Sequence, residues 1–541
     1  MKNSVKYFLL VAFAIGLFSC AERMVNKSPV SEKYASEEAL SYDMSSNIYE
    51  KESLKKDVGG EDDFDDGIQY NTEEYDKIVE NNFKNVKETP VSTFSIDVDN
   101  ASYSNVRRFL NGNQLPPSGS VRIEEMINYF DYDYKNPSGV HPFAFETEVS
   151  DCAWNTNNKL IHIGIQGKKL DYNDIRPSNF VFLIDASGSM EDSNKLPLLK
   201  KSLLMLLEQL DDKDMISIVA YAGAAGLILP PTRATEKSKI KNALESLNAG
   251  GSTAGGEGIE LAYKTAKDAY IPNGNNRVIL ATDGDFNVGT SSTASLVDLI
   301  IEKRKDDIYL TILGFGMGNY KDGRMEQISN SGNGNYFYID NIKEAEKVFV
   351  REMRANMFTI AKDVKIQIEF NPAKVESYRL IGYENRVMNK EDFDDDKKDA
   401  GELGAGHSVT ALYEIVPAGT SNGNNTSGDL KYQQNTVKTG AAADTELMTI
   451  KFRYKKPKEE VSILMEYPVI DNKISLANSS NNFKFSAAVA GFGMILTKSQ
   501  FKGNLTFASV SELAKSGLGN DEFGYKTEFI NMIRTAELLA K

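Results

Sequence analysis

The hydrophobic pattern divides the chain into regimes. Between residues 178 and about 356, continuous apolar runs of strand length alternate with segments whose apolar residues repeat every 3.6 positions. The runs lie at 180–184, 215–221, 227–229, 277–281, 309–314 and 335–339. The helical segments lie at 196–210, 236–247, 256–269, 294–305, 324–329 and 343–353. Strands that are apolar on both faces, joined by amphipathic helices, predict an α/β, doubly wound, mostly parallel, Rossmann-like sheet covered on both sides. The run at 227–229 has only short loops around it and is predicted as an antiparallel edge strand.

On both sides of this region the period changes to two. Strands are predicted at 94–99, 143–149 and 160–166, and again at 364–370, 375–381, 409–416, 448–454 and 461–467. Helices at 103–110 and 122–130 interrupt the first flank, and helices at 507–515 and 527–539 close the second. Asp99 or Asn100 is placed to cap the helix at 103–110, with Gly112 as its stop signal. The α/β unit is therefore expected to be inserted into, or flanked by, one β-rich domain built from both flanks. Two polar stretches, 390–406 and 419–444, are predicted as exposed loops. The apolar stretch 486–497 is too short and too glycine-containing for a membrane span, and is predicted as core.

The N-terminus follows different rules. Lys2 and Lys6 precede a short apolar run, 7–18, that ends at Leu17-Phe18-Ser19-Cys20. A positive start, a short apolar stretch and a cysteine directly after a small residue mark residues 1–19 as a signal peptide. The arrangement resembles a bacterial lipoprotein box, which implies lipidation of Cys20 and a membrane anchor. Residues 20–90 are polar, include the acidic block Glu61-Asp62-Asp63-Phe64-Asp65-Asp66, and are predicted as a solvated tether. The expected organisation is then 91–177 as an N-terminal flanking segment, 178–358 as the α/β domain, and 359–541 as a β-rich domain ending in helices.

Composition narrows the chemistry. At 541 residues the chain exceeds one ordinary core. A formal net charge of -15 excludes nucleic acid as the partner, since phosphate binding requires a basic face. Two cysteines make no disulfide framework, and three scattered histidines have no zinc-hydrolase spacing. Cys152, beside Trp154, is read as a buried small apolar residue.

The chemistry gathers where the strands of the α/β unit end. Asp185-Ala186-Ser187-Gly188-Ser189 closes one strand, Thr282-Asp283-Gly284-Asp285 follows another, and Gly250-Gly251-Ser252-Thr253 opens a helix. In a doubly wound sheet, ligands sit outside the carboxyl ends of the strands. Asp185, Ser187, Ser189, Thr253 and Asp283 offer only oxygen, the donor set of a hard divalent cation such as Mg²⁺, Mn²⁺ or Ca²⁺. No histidine lies in these loops, and neither GxSxG nor a P-loop is present, so the site is not read as an enzyme. Gly314-Phe315-Gly316-Met317-Gly318 is read as a simple turn.

DASGS, the Thr253 loop and TDG together resemble the metal-ion-dependent adhesion site of von Willebrand factor type A domains. The stretch TFSIDVDNASYSNVRRFL and the residues from about 360 onward resemble the two flanks of the YfbK-like bacterial lipoproteins, the second flank being a domain of unknown role. The resemblance implies a cell-envelope, lipid-anchored protein, outer-membrane by expectation. Its ion would be held by Asp185, Ser187, Ser189, Thr253 and Asp283 and completed by an Asp or Glu of a protein partner. A second reading stays open, in which the ion only stabilises the rim and partners bind the β-rich domain.

Overall fold

The computed structural model describes residues 73–96, 99–170, 176–251, 255–284, 293–318, 320–398, 400–420 and 445–541. The signal segment, Cys20 and the acidic block lie outside the described residues.

The central sheet has six strands. Their order is Tyr336–Tyr338, Ile308–Gly314, Asn275–Thr282, Ser178–Asp185, Met215–Tyr221 and Ala225–Arg233. All pairings are parallel except the last, where Ala225–Arg233 runs antiparallel at the edge, as the short loops around it require. Strand Ser178–Asp185 is buried along its whole length because alternate residues serve opposite faces. Phe180, Phe182 and Ile184 join the cluster around helix Leu196–Leu207. Val181 and Leu183 join Ile259, Ala262 and Tyr263 of helix Gly255–Asp268. Two such layers fix where the strand ends, and so place Asp185 at the rim.

The flanks build a β-sandwich. One sheet runs Lys84–Asn85, Val375–Ile381, Ser408–Pro417, Lys159–Gly167, Phe143–Asp151, entirely antiparallel. The other runs Val387–Met388, Val91–Ser95, Thr359–Phe370, Glu446–Lys455, Ile463–Ile470. Both sheets draw strands from before and after the α/β unit, so that unit is an insertion in the chain path of the sandwich. Ile161, Ile163 and Ile165 face Ile366, Ile368 and Phe452 in one apolar cluster, as two sheets burying their inner faces require.

A helical layer covers the sandwich. Helices Ala101–Asn111 and Ile123–Asn128 from the first flank meet Asn481–Leu496, Phe507–Ser516 and Tyr525–Leu539 from the end of the chain. Ser480 caps the long helix by accepting a hydrogen bond from Phe483 N at 3.1 Å. Gly493 permits close approach, since a Cβ there would lie 2.8 Å from Ile123 Cγ1. The stretch 486–497 is thus core, and among the described residues no helix is long and apolar enough to cross a membrane.

Three local expectations change. The stretch 390–406 is not simply an exposed loop, because Gly401–Gly404 pairs with Thr359–Phe370 and buries Leu403. Two register shifts in that pairing let a polar segment present Leu403 inward. Asp99 does not cap its helix, because it accepts from Tyr336 N at 2.9 Å, and Asn100 at the cap position makes no capping bond. Residues 73–86, whose composition reads as tether, make specific contacts. Glu73 accepts from Gly318 N at 2.8 Å and pairs with Arg108, and Lys84–Asn85 adds a short strand to the first sheet.

One buried ion network ties the parts together. Arg107, 1% exposed, reaches Asp340 at 2.5 Å, Glu344 at 2.7 Å and Glu528 at 3.0 Å. The first helix, the end of the central sheet and the last helix therefore share one guanidinium.

Candidate metal centre

The parallel strands Ser178–Asp185 and Asn275–Thr282 are neighbours in register, Ile184 opposite Ala281. Asp185 ends the first, and Asp283 follows the second immediately. Both carboxylates are fully buried. Ser187 N donates to Asp185 Oδ1 at 2.9 Å, and the Tyr221 and Thr282 hydroxyls donate to Asp185 Oδ2 at 3.1 and 3.3 Å. These bonds fix the carboxylate orientation before any ligand arrives. Burial pushes the Asp185 carboxyl above its ordinary range; the bonds from Ser187 oppose that, and the charge of Asp283 adds to it.

The two serines converge. Ser187 Oγ and Ser189 Oγ are 3.1 Å apart. Adjacent ligands in an octahedron with Mg–O of about 2.0–2.1 Å are roughly 2.9 Å apart, so the pair fits two neighbouring corners. The alternation of Asp185, Ser187 and Ser189 across a tight turn brings the three oxygens to one side. With Asp283 they form an all-oxygen donor set suited to a hard dication.

Thr253 lies outside the described residues, as does Asp285. The loop that leads to Thr253 is nevertheless held at the rim. Gly250 N donates to Ala186 O at 2.8 Å, and Gly188 N donates to Gly251 O at 3.2 Å. Gly251 has φ of +84°, a conformation glycine adopts without strain.

One residue of the centre was not anticipated from sequence. Lys195, 5% exposed, extends into the rim and donates from Nζ to Asp283 Oδ2 at 3.1 Å and to Ser189 O at 2.8 Å. Its stem lies over Gly316, where φ is +75° and a Cβ would fall 2.8 Å from Lys195 Cγ. The glycine turn at 314–318 is therefore a bed for this lysine. The available signal was a lysine at the N-cap position of helix Leu196–Leu207, six residues after Ser189.

A second acidic group lies elsewhere. Carboxylate oxygens of Asp99, Glu125 and Glu326 fall within 4.8 Å of one another. Arg386 bridges Asp99 at 3.3 Å and Glu326 at 2.8 Å, and Arg122 pairs with Glu125 and Asp322. Guanidinium groups already supply the positive charge there, so the cluster acts as a buried ion-pair network.

A doubly wound sheet with one antiparallel edge, carrying DxSxS and an aspartate at adjacent strand ends, defines a von Willebrand factor type A domain. The profile for that domain matches residues 179–351, a profile described as von Willebrand factor matches 69–162, and one described as "Uncharacterized protein YfbK, C-terminal" matches 355–539. The chain is 41% identical over 474 residues to "Uncharacterized protein YfbK" of Escherichia coli, covering 86% of this chain and 81% of that protein. The chain belongs to the YfbK family of von Willebrand factor type A proteins.

A magnesium-chelatase 67 kDa subunit of Chlorobaculum tepidum is 26% identical over 186 residues, 31% of this chain and 29% of that protein. Among solved structures, a von Willebrand factor type A protein from Catenulispora acidiphila aligns over 75% of this chain and 91% of its own length at 16% identity, with a TM-score of 0.42. The von Willebrand factor type A domain suggests a role in protein interaction or adhesion rather than catalysis.

Proposed function

We propose that this chain is a cell-envelope lipoprotein, attached through lipidated Cys20, that binds a protein partner through a divalent ion held at the rim of its α/β domain. The observation that carries the reading is the convergence of Asp185, Ser187, Ser189 and Asp283 at adjacent strand ends, with the serine hydroxyls 3.1 Å apart. Asp185, Ser187, Ser189 and Asp283 would hold Mg²⁺, Mn²⁺ or Ca²⁺, joined by Thr253 from the loop that Gly250 and Gly251 tie to the site. The ion supplies, when bound, a positive centre that an Asp or Glu of the partner completes.

The residues themselves prepare this. Tyr221 and Thr282 orient Asp185, and the turn at Ser187 sets the Ser187 and Ser189 hydroxyls 3.1 Å apart beside that buried carboxylate. A tether formed by residues 20–72, ahead of the contacts that begin at Glu73, would let the folded part stand off a membrane, outer by expectation.

Capture from cell-envelope extract tests the reading. The purified full chain serves as bait with Mg²⁺, with EDTA, and as Asp283→Ala. A protein retained only by the wild type with Mg²⁺ supports ion-dependent adhesion. The same retained set under all three conditions overturns it. Cys20→Ser should move the protein from the membrane to the soluble fraction, and retention of the variant in the membrane contradicts the anchor.

A further inference from the structure

We infer that Lys195 sets the charge of the ion site and thereby its preference for an anionic partner group. The inference rests on the reading of the rim as an ion site. Among the described residues, the donor set carries two buried carboxylates, Asp185 and Asp283. Considered alone, these neutralise a dication, and the loaded site would attract a carboxylate only weakly. Lys195 changes that balance. The residue is 5% exposed, and its ammonium lies 3.1 Å from Asp283 Oδ2. The donor set with its lysine then carries one net negative charge, and the loaded site one net positive charge. A partner carboxylate is the group that brings such a site to neutrality.

The geometry shows that the lysine is held in place. Nζ also donates to the Ser189 carbonyl at 2.8 Å, which links the serine loop to Asp283. Gly316, at a positive φ, leaves the space along which the stem runs, and the Tyr338 hydroxyl donates to the Gly316 carbonyl and fixes that turn. Among the described residues, Asp192 also pairs with Lys195, at 3.6 Å, but it is mostly exposed, so water screens its charge. A like charge in a buried rim weakens cation binding and strengthens anion binding, because Coulomb terms are least screened there. Lys195 therefore lowers ion affinity and raises the affinity of the loaded site for carboxylate.

The two effects have opposite signs, which separates them from a scaffold role. Mg²⁺ binding to the purified full chain is measured by titration calorimetry for wild type, Lys195→Met and Lys195→Gln. Glutamine removes the charge while retaining an N–H donor, on a side chain one atom shorter, whereas methionine removes both charge and donor. A short peptide bearing a single Asp, titrated into Mg²⁺-saturated protein, reads the second affinity. Both variants are expected to bind Mg²⁺ on the order of ten-fold more tightly and the peptide on the order of ten-fold more weakly. Wild type that binds Mg²⁺, with both variants weaker or unchanged toward it, overturns the inference and makes Lys195 a scaffold. Wild type that binds no Mg²⁺ overturns the ion-site reading itself, and the inference with it. Should Lys195→Met fail to fold, Lys195→Gln alone decides the sign.

Discussion

Replacing Arg107 with leucine should cost the protein a large part of its stability, and the cost should depend on pH in a stated direction. Arg107 holds Asp340 through Nε and Nη2, Glu344 through Nη2, and the Tyr129 hydroxyl through Nη1 at 3.0 Å. Asp340 and Glu344 are 4% and 2% exposed, so neither gains water when the guanidinium leaves. Removing one partner of a buried pair costs about 3–5 kcal/mol, because the other charge stays buried and unpaired. Burial already raises the Asp340 pKa even with Arg107 beside it, and loss of Arg107 raises it further. Between the unfolded and folded pKa values the folded variant binds more protons than the unfolded chain. Stability of the variant should therefore rise as pH falls through that window and drop as pH rises. Urea unfolding of wild type and Arg107→Leu at several pH values measures this. The single tryptophan, Trp154, is 3% exposed and bonded to Glu414 at 2.9 Å, so its emission reports loss of the sandwich and helical layer. A penalty below about 1 kcal/mol, or one that does not shrink on acidification, refutes the view of this network as the tie between the layers.

Further outcomes follow from other sites. Gly316→Ala should lower the melting temperature, since it places a side chain at a positive φ against the Lys195 stem; an unchanged melt contradicts the bed described for that lysine. Glu124 is 3% exposed with Oε2 unpartnered, and burial pushes its carboxyl up to about 7. The folded state therefore favours its protonated form, and stability should fall as pH rises from about 4.3 to 7. Glu124→Gln should flatten that slope and stabilise the protein at pH 8 by on the order of 1 kcal/mol, and an unchanged slope in chemical denaturation contradicts the assignment. Gly493→Leu should destabilise strongly by forcing helix Asn481–Leu496 away from Ile123, and a wild-type melt contradicts the close approach.

The α/β unit was legible because both of its signals are local. The apolar runs at 180–184 and 278–281 are hydrophobic on both faces, as a covered parallel strand requires. Asp185, Ser187 and Ser189 lie within five consecutive positions, so their convergence follows from one turn. The bond between Lys195 and Asp283 spans 88 positions, and no periodicity in either segment encodes it. Leu403 was hidden for a related reason, because an apolar residue flanked by polar and glycine positions joins the core only when a bulged pairing turns it inward. Asp99 had the composition of a cap, yet a backbone amide 237 positions away took its oxygen. Glu73 looked like tether because its partner, Gly318, lies 245 positions away inside the inserted domain.

The most direct test of the ion site is a titration of Mn²⁺ into the metal-free full chain, followed by electron paramagnetic resonance, with Asp283→Ala and the double variant Ser187→Ala, Ser189→Ala in parallel. One tightly bound Mn²⁺ per wild-type chain is expected, displaced by Mg²⁺ and lost in both variants, while circular dichroism shows each still folded. Free Mn²⁺ throughout the wild-type titration, or equal binding by all three folded proteins, would contradict the placement of the ion at Asp185, Ser187, Ser189 and Asp283.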